Sequence, residues 1–445
     1  MNAFKTTLRL VSSTLRMPHS TSILQQAGWL AVAKIVQGIA SVAATLAVAR
    51  HLGPAAFGLL SLASAIALFV GSAASLGLEQ IATRELSTAD PLSRPPMLSV
   101  LRRMRVIGAL LGCVVLLAIT ATPNAREYGV SSLLLILCLL PLAQVGDLAE
   151  WRLIAAGRSR RVAIAIVLSS PLVALARLAF ALAGAGVTVF AWLLVGEWAL
   201  RSLLLAFSSR GRNLIAPESE PAFLASALPL LRDSLPLLLS SVAVFIYMRI
   251  DQFMLAAMLG PHEVGLYSAI VTLAEVPLVL PVLLLRAALP ILARQSETAP
   301  DLRDQTLTSL MRNGFYLHLV IAFVAAAFAK PLVELLYGPT FAASASALGI
   351  LVLAAPFVAL GVLSSSWLVL ERCTGHALRR TLVGAVLNVA FNLFSIPRFG
   401  VAGAAVATLA AQIVAAYVID AFHAQTRDLF HMKTRALFPG FRSGT

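Results

Sequence analysis

Ionisable residues stand deep inside apolar stretches of this 445-residue chain, foremost Lys34, Arg177, Glu197, Arg249, Asp251 and Glu275. An ionised side chain at mid-bilayer costs roughly 2.5–3.5 kcal/mol on insertion scales, so each needs a partner or a task. The cations can hold an anion, and a guanidinium grips phosphate through two parallel hydrogen bonds. The carboxylates can take up and release a proton or cation as their surroundings change. Each also has a plainer use. Lys34, with Gln37 one turn later, has a stem long enough to reach an interface. Arg177 and Glu197 fall at comparable depth in consecutive stretches and can neutralise each other. Arg249 and Asp251 are two positions apart, on nearly opposite sides of a helix, so they cannot pair with each other. Glu275 reaches the depth of Arg249 from the following stretch and can pair with it. Pro277 has no N–H to give the Leu273 carbonyl, so the helix bends or opens beside Glu275.

The elements that position these residues are membrane helices. The chain is 59% hydrophobic and 12% charged, against about 25% charged in an average soluble domain. Stretches long enough to cross about 30 Å of hydrocarbon recur from end to end. They are expected at 24–48, 56–78, 105–122, 129–149, 162–182, 187–207, 233–258, 264–290, 313–330, 343–370, 379–396 and 400–423. The 34 Lys and Arg residues test this set: 27 fall in the termini and in alternate loops with the span ends that flank them, four in the intervening loops and their flanks, and three deeper inside the spans. That bias predicts twelve helices with both termini in the cytoplasm. The net charge of +14 therefore belongs to the membrane faces and implies no nucleic-acid partner. Arg94, Arg102, Arg103, Arg105, Arg158, Arg160 and Arg161 make the inner face electropositive, which suits anionic lipid headgroups.

The segment Leu52-Gly53-Pro54-Ala55-Ala56-Phe57-Gly58-Leu59-Leu60-Ser61 recurs, offset by 207 residues, as Leu259-Gly260-Pro261-His262-Glu263-Val264-Gly265-Leu266-Tyr267-Ser268, with six of ten positions identical. Both copies fall at outer turns, where Gly-Pro suits a tight reversal. A repeat at half the chain length, in the same orientation, implies two six-helix bundles related by an axis along the membrane normal. The expected organisation is a basic cytoplasmic leader (1–22), which suits an amphipathic surface helix, a first half (23–207), a Pro- and Gly-bearing linker (208–232), a second half (233–423) and a basic tail (424–445).

Catalytic signatures are missing. There is no phosphate-loop motif, no H-E-x-x-H, no clustered Cys/His metal set and no G-x-S-x-G elbow. Cys113, Cys138 and Cys373 suggest no disulfide framework. No enzyme, cofactor or metal site is expected, and any work is driven by an ion gradient, a substrate gradient or a partner. Asn388 and Asn392 form a polar stripe that can face Gln412; such a stripe serves packing as well as it serves sugar contact. His318 reads as a buried hydrogen-bonded histidine, and Asp147 and Glu150 as partners for the arginines of the next loop.

Four ordered segments resemble the polysaccharide exporters of the multidrug/oligosaccharidyl-lipid/polysaccharide (MOP) superfamily, in particular O-antigen (Wzx-type) flippases. They are Ala49 to Pro54 with Phe57-Gly58; Tyr247 to Leu255 leading into Leu259-Gly260 and Val264 to Ala269; Leu336 to Pro339 with Phe341; and Asn388 to Asn392 with Ile396 to Ala405. The resemblance implies an all-α, MATE-like bundle in the bacterial inner membrane. It implies alternating-access transfer of an undecaprenyl-diphosphate-linked oligosaccharide for O-antigen, capsule or exopolysaccharide assembly. The matching Met248–Asp251 pattern makes Arg249 the foremost substrate contact, with Lys34 and Arg177 completing a cationic cavity for the diphosphate. Glu275, Asp251 and Glu197 are the candidates for coupling to protons or sodium. Implied partners are the lipid-linked oligosaccharide, membrane lipids, the polysaccharide polymerase and the chain-length machinery. A MATE-type ion-coupled drug exporter is the alternative. A membrane glycosyltransferase or ligase fits less well, because every outer loop is short.

Overall fold

The structure, a computed structural model, describes residues 18–88, 94–209 and 223–438. The leader's expected surface helix, the Pro/Gly part of the linker (210–222) and tail residues 439–445 lie outside the described residues. Among the described residues there is no strand. Ten helical segments are long and apolar enough to cross a membrane.

Two of those ten are hairpins. Gly28–Ala74 and Gly375–Phe422 contain Gly53 and Gly400, whose φ/ψ of 70/172° and 57/−132° are non-helical. A straight helix rises about 1.5 Å per residue, which would separate Gln26 from Gly71 by nearly 70 Å. Yet Gln26 lies beside Gly157, and Gly71 lies beside Gln144 in the same neighbouring hairpin arm. Around Gly400, Arg380 meets Asp420, and Ser395 donates to the Gly403 carbonyl at 2.9 Å. The described residues therefore hold twelve membrane-length passes, the number the charge alternation predicts. The helices run past the apolar stretches: crossing seven is Ala225–Leu259 rather than 233–258, and crossing nine begins at Pro300 rather than 313. Backbone hydrogen bonding continues beyond the hydrocarbon edge, which a hydropathy reading does not register.

Gly53, Gly260 and Gly338 share one conformation, with φ of 70, 90 and 93° and ψ of 172, 177 and 172°. That region is essentially restricted to glycine. Each is followed by proline at the first position of a new helix, where its missing N–H is not needed. These turns gather at one end of the bundle, here the Gly-Pro end; most Lys and Arg lie at the other, the basic end.

The two halves meet at the Gly-Pro end through the two copies of the repeat. Crossing two lies so close to crossing eight that a Cβ on Gly58 would fall below 3.0 Å from Pro261 O, Pro261 C and Gly265 N. Reciprocally, a Cβ on Gly265 would collide with the Pro54 carbonyl. The Phe57 ring meets Phe341 at 6.4 Å, and Tyr337 donates to the Ala269 carbonyl at 2.7 Å. At the basic end the halves touch beside Gly77, which abuts the backbone of Ser234 and Leu238. Crossing one and the far part of crossing eight are less covered there, exposing Val32, Ile35, Ile39, Val282 and Leu289.

Two amphipathic helices flank the spans without any apolar stretch to announce them: Leu78–Thr88 and Arg427–Leu437. The second buries Leu429, Met432 and Ala436 against Leu307, Met311 and Trp367. It also buries Lys433, which donates to Asp420 Oδ2 at 2.8 Å and to the Ala416 carbonyl. Arg380 grips the same carboxylate through Nε and Nη2, at 2.8 and 2.5 Å. Burial, then repulsion from Arg380, lowers the Lys433 pKa from 10.5 to about 7, against the raising effect of Asp420. The folded state therefore holds fewer protons than the unfolded state between these values, and stability rises with pH across that window. Thermal unfolding in detergent is expected to move upward from about pH 7 to about pH 9, and Lys433→Met should flatten this dependence relative to the parent.

Candidate functional site

Asp251 sits in the last third of crossing seven, eight residues before Leu259, and is 4% exposed. Three neutral donors hold its carboxylate. Tyr267 Oη and Thr408 Oγ1 donate to Oδ2 at 2.6 and 2.7 Å, and Asn392 Nδ2 donates to Oδ1 at 2.7 Å. Asn388 backs the set, accepting from Asn392 at 3.0 Å and donating to Thr408 at 3.4 Å. Crossings seven, eight, eleven and twelve thus converge on one carboxylate, and among the described residues no cation forms a salt bridge with it. Two buried oxygens beside it, Tyr247 Oη one turn earlier and Asn392 Oδ1, have no hydrogen-bond partner. Oxygens of Asp251, Asn388, Thr408 and Tyr267 in one buried cluster are the donor chemistry of a hard cation.

The asparagine stripe was legible in the sequence, but its partner is Thr408 rather than Gln412. Gly400 turns the hairpin, and Asn392 and Thr408 are each eight residues from it, so they lie level. Both donate to Asp251, and Asn388, one turn further from Gly400, makes the bond to Thr408.

Arg249 points the other way. Phe245, one turn earlier on the same face, packs on Phe69 of crossing two at 5.4 Å. Arg249 therefore faces the first half. Its Nη2 lies 3.5 Å from Glu275 Oε1, and both side chains are about one-third exposed (33% and 36%). Glu275 ends the helix Pro261–Glu275; a 3-10 turn, Val276–Leu278, follows before the helix resumes at Val279, so the bend stands at Pro277. Arg177 and Glu197 are joined at 2.9 Å, and Ser170 also donates to Glu197 at 3.2 Å. The structure thus places Arg177 and Glu197 in one pair and Arg249 and Glu275 in another.

Lys34 is exposed and contacts Gln37 at 3.2 Å. It lies within electrostatic reach of Arg201, Glu150, Glu79 and Arg286. Arg201 is 7% exposed, bonded to Glu150 at 2.5 Å and stacked on Trp198 at 5.4 Å. The sequence pattern gives Glu150 and Asp147 to the arginines of the next loop. Glu150 instead takes Arg201 from crossing six, and Asp147 takes Arg105 from crossing three at 3.5 Å. The helices outrun their apolar cores, so residues counted as loop are held within the bundle. His318 is fully buried between the Gly314 and Pro277 carbonyls, at 2.7 and 3.1 Å. Among the described residues no group of three or more His, Cys, Asp or Glu could hold a metal.

The model of a family described as polysaccharide biosynthesis protein matches residues 23–296. The chain belongs to this family. A second family model, a putative inner membrane exporter (YdcZ), matches residues 316–437. No curated protein matches in sequence. Among solved structures, an inward-facing multidrug resistance MATE family transporter of the MOP superfamily superposes with TM-score 0.73 and 18% identity, covering 90% of this chain and 96% of that one. An outward-facing MATE structure gives 0.63 and 18%, covering 95% and 98%. The lipid II flippase MurJ, in an inward closed conformation, gives 0.67 and 13%, covering 92% and 94%. This polysaccharide biosynthesis family member is therefore a multi-pass membrane protein with the MOP-superfamily fold, and its acid cage and ion pairs are set within that frame.

Breaking a buried ion pair strands a charge at a cost of about 3–5 kcal/mol, whereas replacing both partners with apolar residues is often neutral. Glu197→Met alone is expected to lower the unfolding temperature markedly, and Arg177→Met/Glu197→Met to restore most of it. Equal losses in the single and double variants would show that the pair is not coupled.

Proposed function

We propose that the protein is a flippase that carries an isoprenoid-diphosphate-linked oligosaccharide across the bacterial inner membrane for surface polysaccharide assembly. The observation that carries this reading is the match to the polysaccharide biosynthesis family over residues 23–296. The fold is one that a lipid II flippase also adopts, and the charge between the halves has the sign for the task. Lys34 and Arg286 come from opposite halves within electrostatic reach of each other, and Arg249 faces the first half. In this reading they hold the diphosphate while the isoprenoid stays in lipid. Arg177, bonded to Glu197, shapes the first half rather than touching substrate. The basic end faces the cytoplasm, in line with the positive-inside rule. The polysaccharide polymerase and chain-length machinery receive the product.

The coupling ion, a proton or Na⁺, is assigned to Asp251. Glu197 and Glu275 each lie against an arginine, whereas Asp251 has neutral donors and unpartnered oxygens beside it. Taking up a cation there neutralises a buried charge shared by four crossings, and releasing it lets those crossings rearrange. The second reading is a MATE-type exporter, favoured by the superposition on MATE structures. The exposed cations Lys34 and Arg286 disfavour cationic drugs.

A strain lacking the protein is expected to lose surface polysaccharide and to accumulate lipid-linked repeat units in the cytoplasmic leaflet. Normal polysaccharide with altered drug tolerance would favour the exporter. On complementation, Arg249→Ala and Asp251→Asn should each abolish export at normal protein levels. Loss of wild-type export under a protonophore, with a sodium ionophore harmless, would identify the proton as the ion; the reverse would identify Na⁺. Full export by Asp251→Asn would remove Asp251 from coupling.

A further inference from the structure

We propose that the two copies of Leu-Gly-Pro-x-x-x-Gly form a gate at the Gly-Pro end, one that closes only because Gly58 and Gly265 lack side chains. This rests on the transporter reading above, in which each end must open in turn. The contact is symmetric. Gly58 lies against the Pro261 carbonyl and the Gly265 backbone N, while Gly265 lies against the Pro54 carbonyl and the Gly58 backbone N. Both glycines are buried. Neither is at a turn: each sits within a helix, four residues after the proline that begins it. Their small size therefore serves this approach and not the local backbone.

A backbone-on-backbone contact differs from a side-chain gate. No rotamer can swing aside to admit an intermediate separation, so the jaws are either seated or apart. Seating brings the rest of the closure with it. Phe57, next to Gly58, meets Phe341 of the third Gly-Pro turn, and Arg50 Nη1 reaches the Leu335 carbonyl at 3.3 Å. Tyr337 and Phe341 are 1% and 0% exposed behind the seam. Opening must break all of these together. At the basic end the halves touch beside Gly77, which abuts the backbone of Ser234 and Leu238, while Val32, Ile35 and Ile39 of crossing one are exposed. The Gly-Pro end is closed in this structure.

Alanine separates this role from a structural one, because it is a better helix former than glycine and leaves each helix intact. A methyl at either position obstructs only the seated state. In a cysteine-free background, spin labels at Ala55 and His262 report the Gly-Pro end, and labels at Arg158 and Asp301 report the basic end. For the parent in nanodiscs, we expect a dominant short Ala55–His262 distance. In Gly58→Ala and Gly265→Ala that population should fall at least tenfold in favour of a longer distance, with the Arg158–Asp301 distance shortening in step. Gly196→Ala, at a position with no neighbour within 4 Å, should leave both distributions unchanged. Retention of the parent's short distance by both jaw variants would overturn the proposal. If a jaw variant does not fold, a short bis-maleimide joining cysteines at 55 and 262 in the glycine background tests the same gate. Cross-linked protein labelled at Arg158 and Asp301 should keep the parent's basic-end distance under any ion gradient; a shortened Arg158–Asp301 distance in the cross-linked protein would overturn it. The distances need no substrate, so a working gate in a strain with normal polysaccharide would fault the flippase reading alone.

Discussion

The cost of holding charge in hydrocarbon organises this protein. Arg177 takes Glu197 from the next helix, Arg249 takes Glu275, and Arg201 takes Glu150 across the first half. Each pairing ties two crossings that apolar packing alone would leave free to slide, since lipid tails are as apolar as leucine. Asp251 is treated differently. Four crossings converge on it with neutral donors, so its charge is shared out among hydrogen bonds instead of cancelled. That difference separates the residues that hold the bundle together from the one suited to change its charge state.

The two halves repeat a frame but not a chemistry. Gly53/Gly260 and Gly58/Gly265 coincide under the 207-residue offset, and they make the turns and the seam between the halves. Under the same offset Arg249 falls on Val42, Asp251 on Ala44, and Lys34 on Ser241. The cage at Asp251 therefore belongs to the second half alone, while Lys34 belongs to the first. Symmetry serves the motion, and its absence at these positions serves the cargo and the ion. Glu275 and the bend at Pro277 join the two, because the helix Pro261–Glu275 carries Gly265 in its first turns and the partner of Arg249 as its last residue.

Much of this was legible in the residues. The alternation of 27 and four basic residues predicted twelve crossings, and Gly53 and Gly400 turn the two hairpins at the expected breaks between spans. Depth counting brought Arg177 to Glu197 and Arg249 to Glu275. It did not bring Asp251 to Tyr267 and Thr408, because a contact among four helices depends on their rotation, which linear depth leaves open. Nor did it reveal the seam. Gly58 and Gly265 read as parts of turn motifs, and only their approach shows that the identity lies in the missing side chains. The helix Arg427–Leu437 escaped because its face is amphipathic and short, and hydropathy averages it away.

The central claim is transfer of a lipid-linked, anionic saccharide between leaflets, coupled to an ion at Asp251. The most direct measurement reconstitutes the purified protein into sealed liposomes holding an undecaprenyl-diphosphate saccharide, with the saccharide fraction open to an external glycosidase followed over time. Imposing a proton or sodium gradient should raise that fraction several-fold above protein-free liposomes, and the Asp251→Asn protein should remain at the protein-free level. An equal rise with the Asp251→Asn protein, or no rise under either gradient with the unaltered protein, would contradict the account.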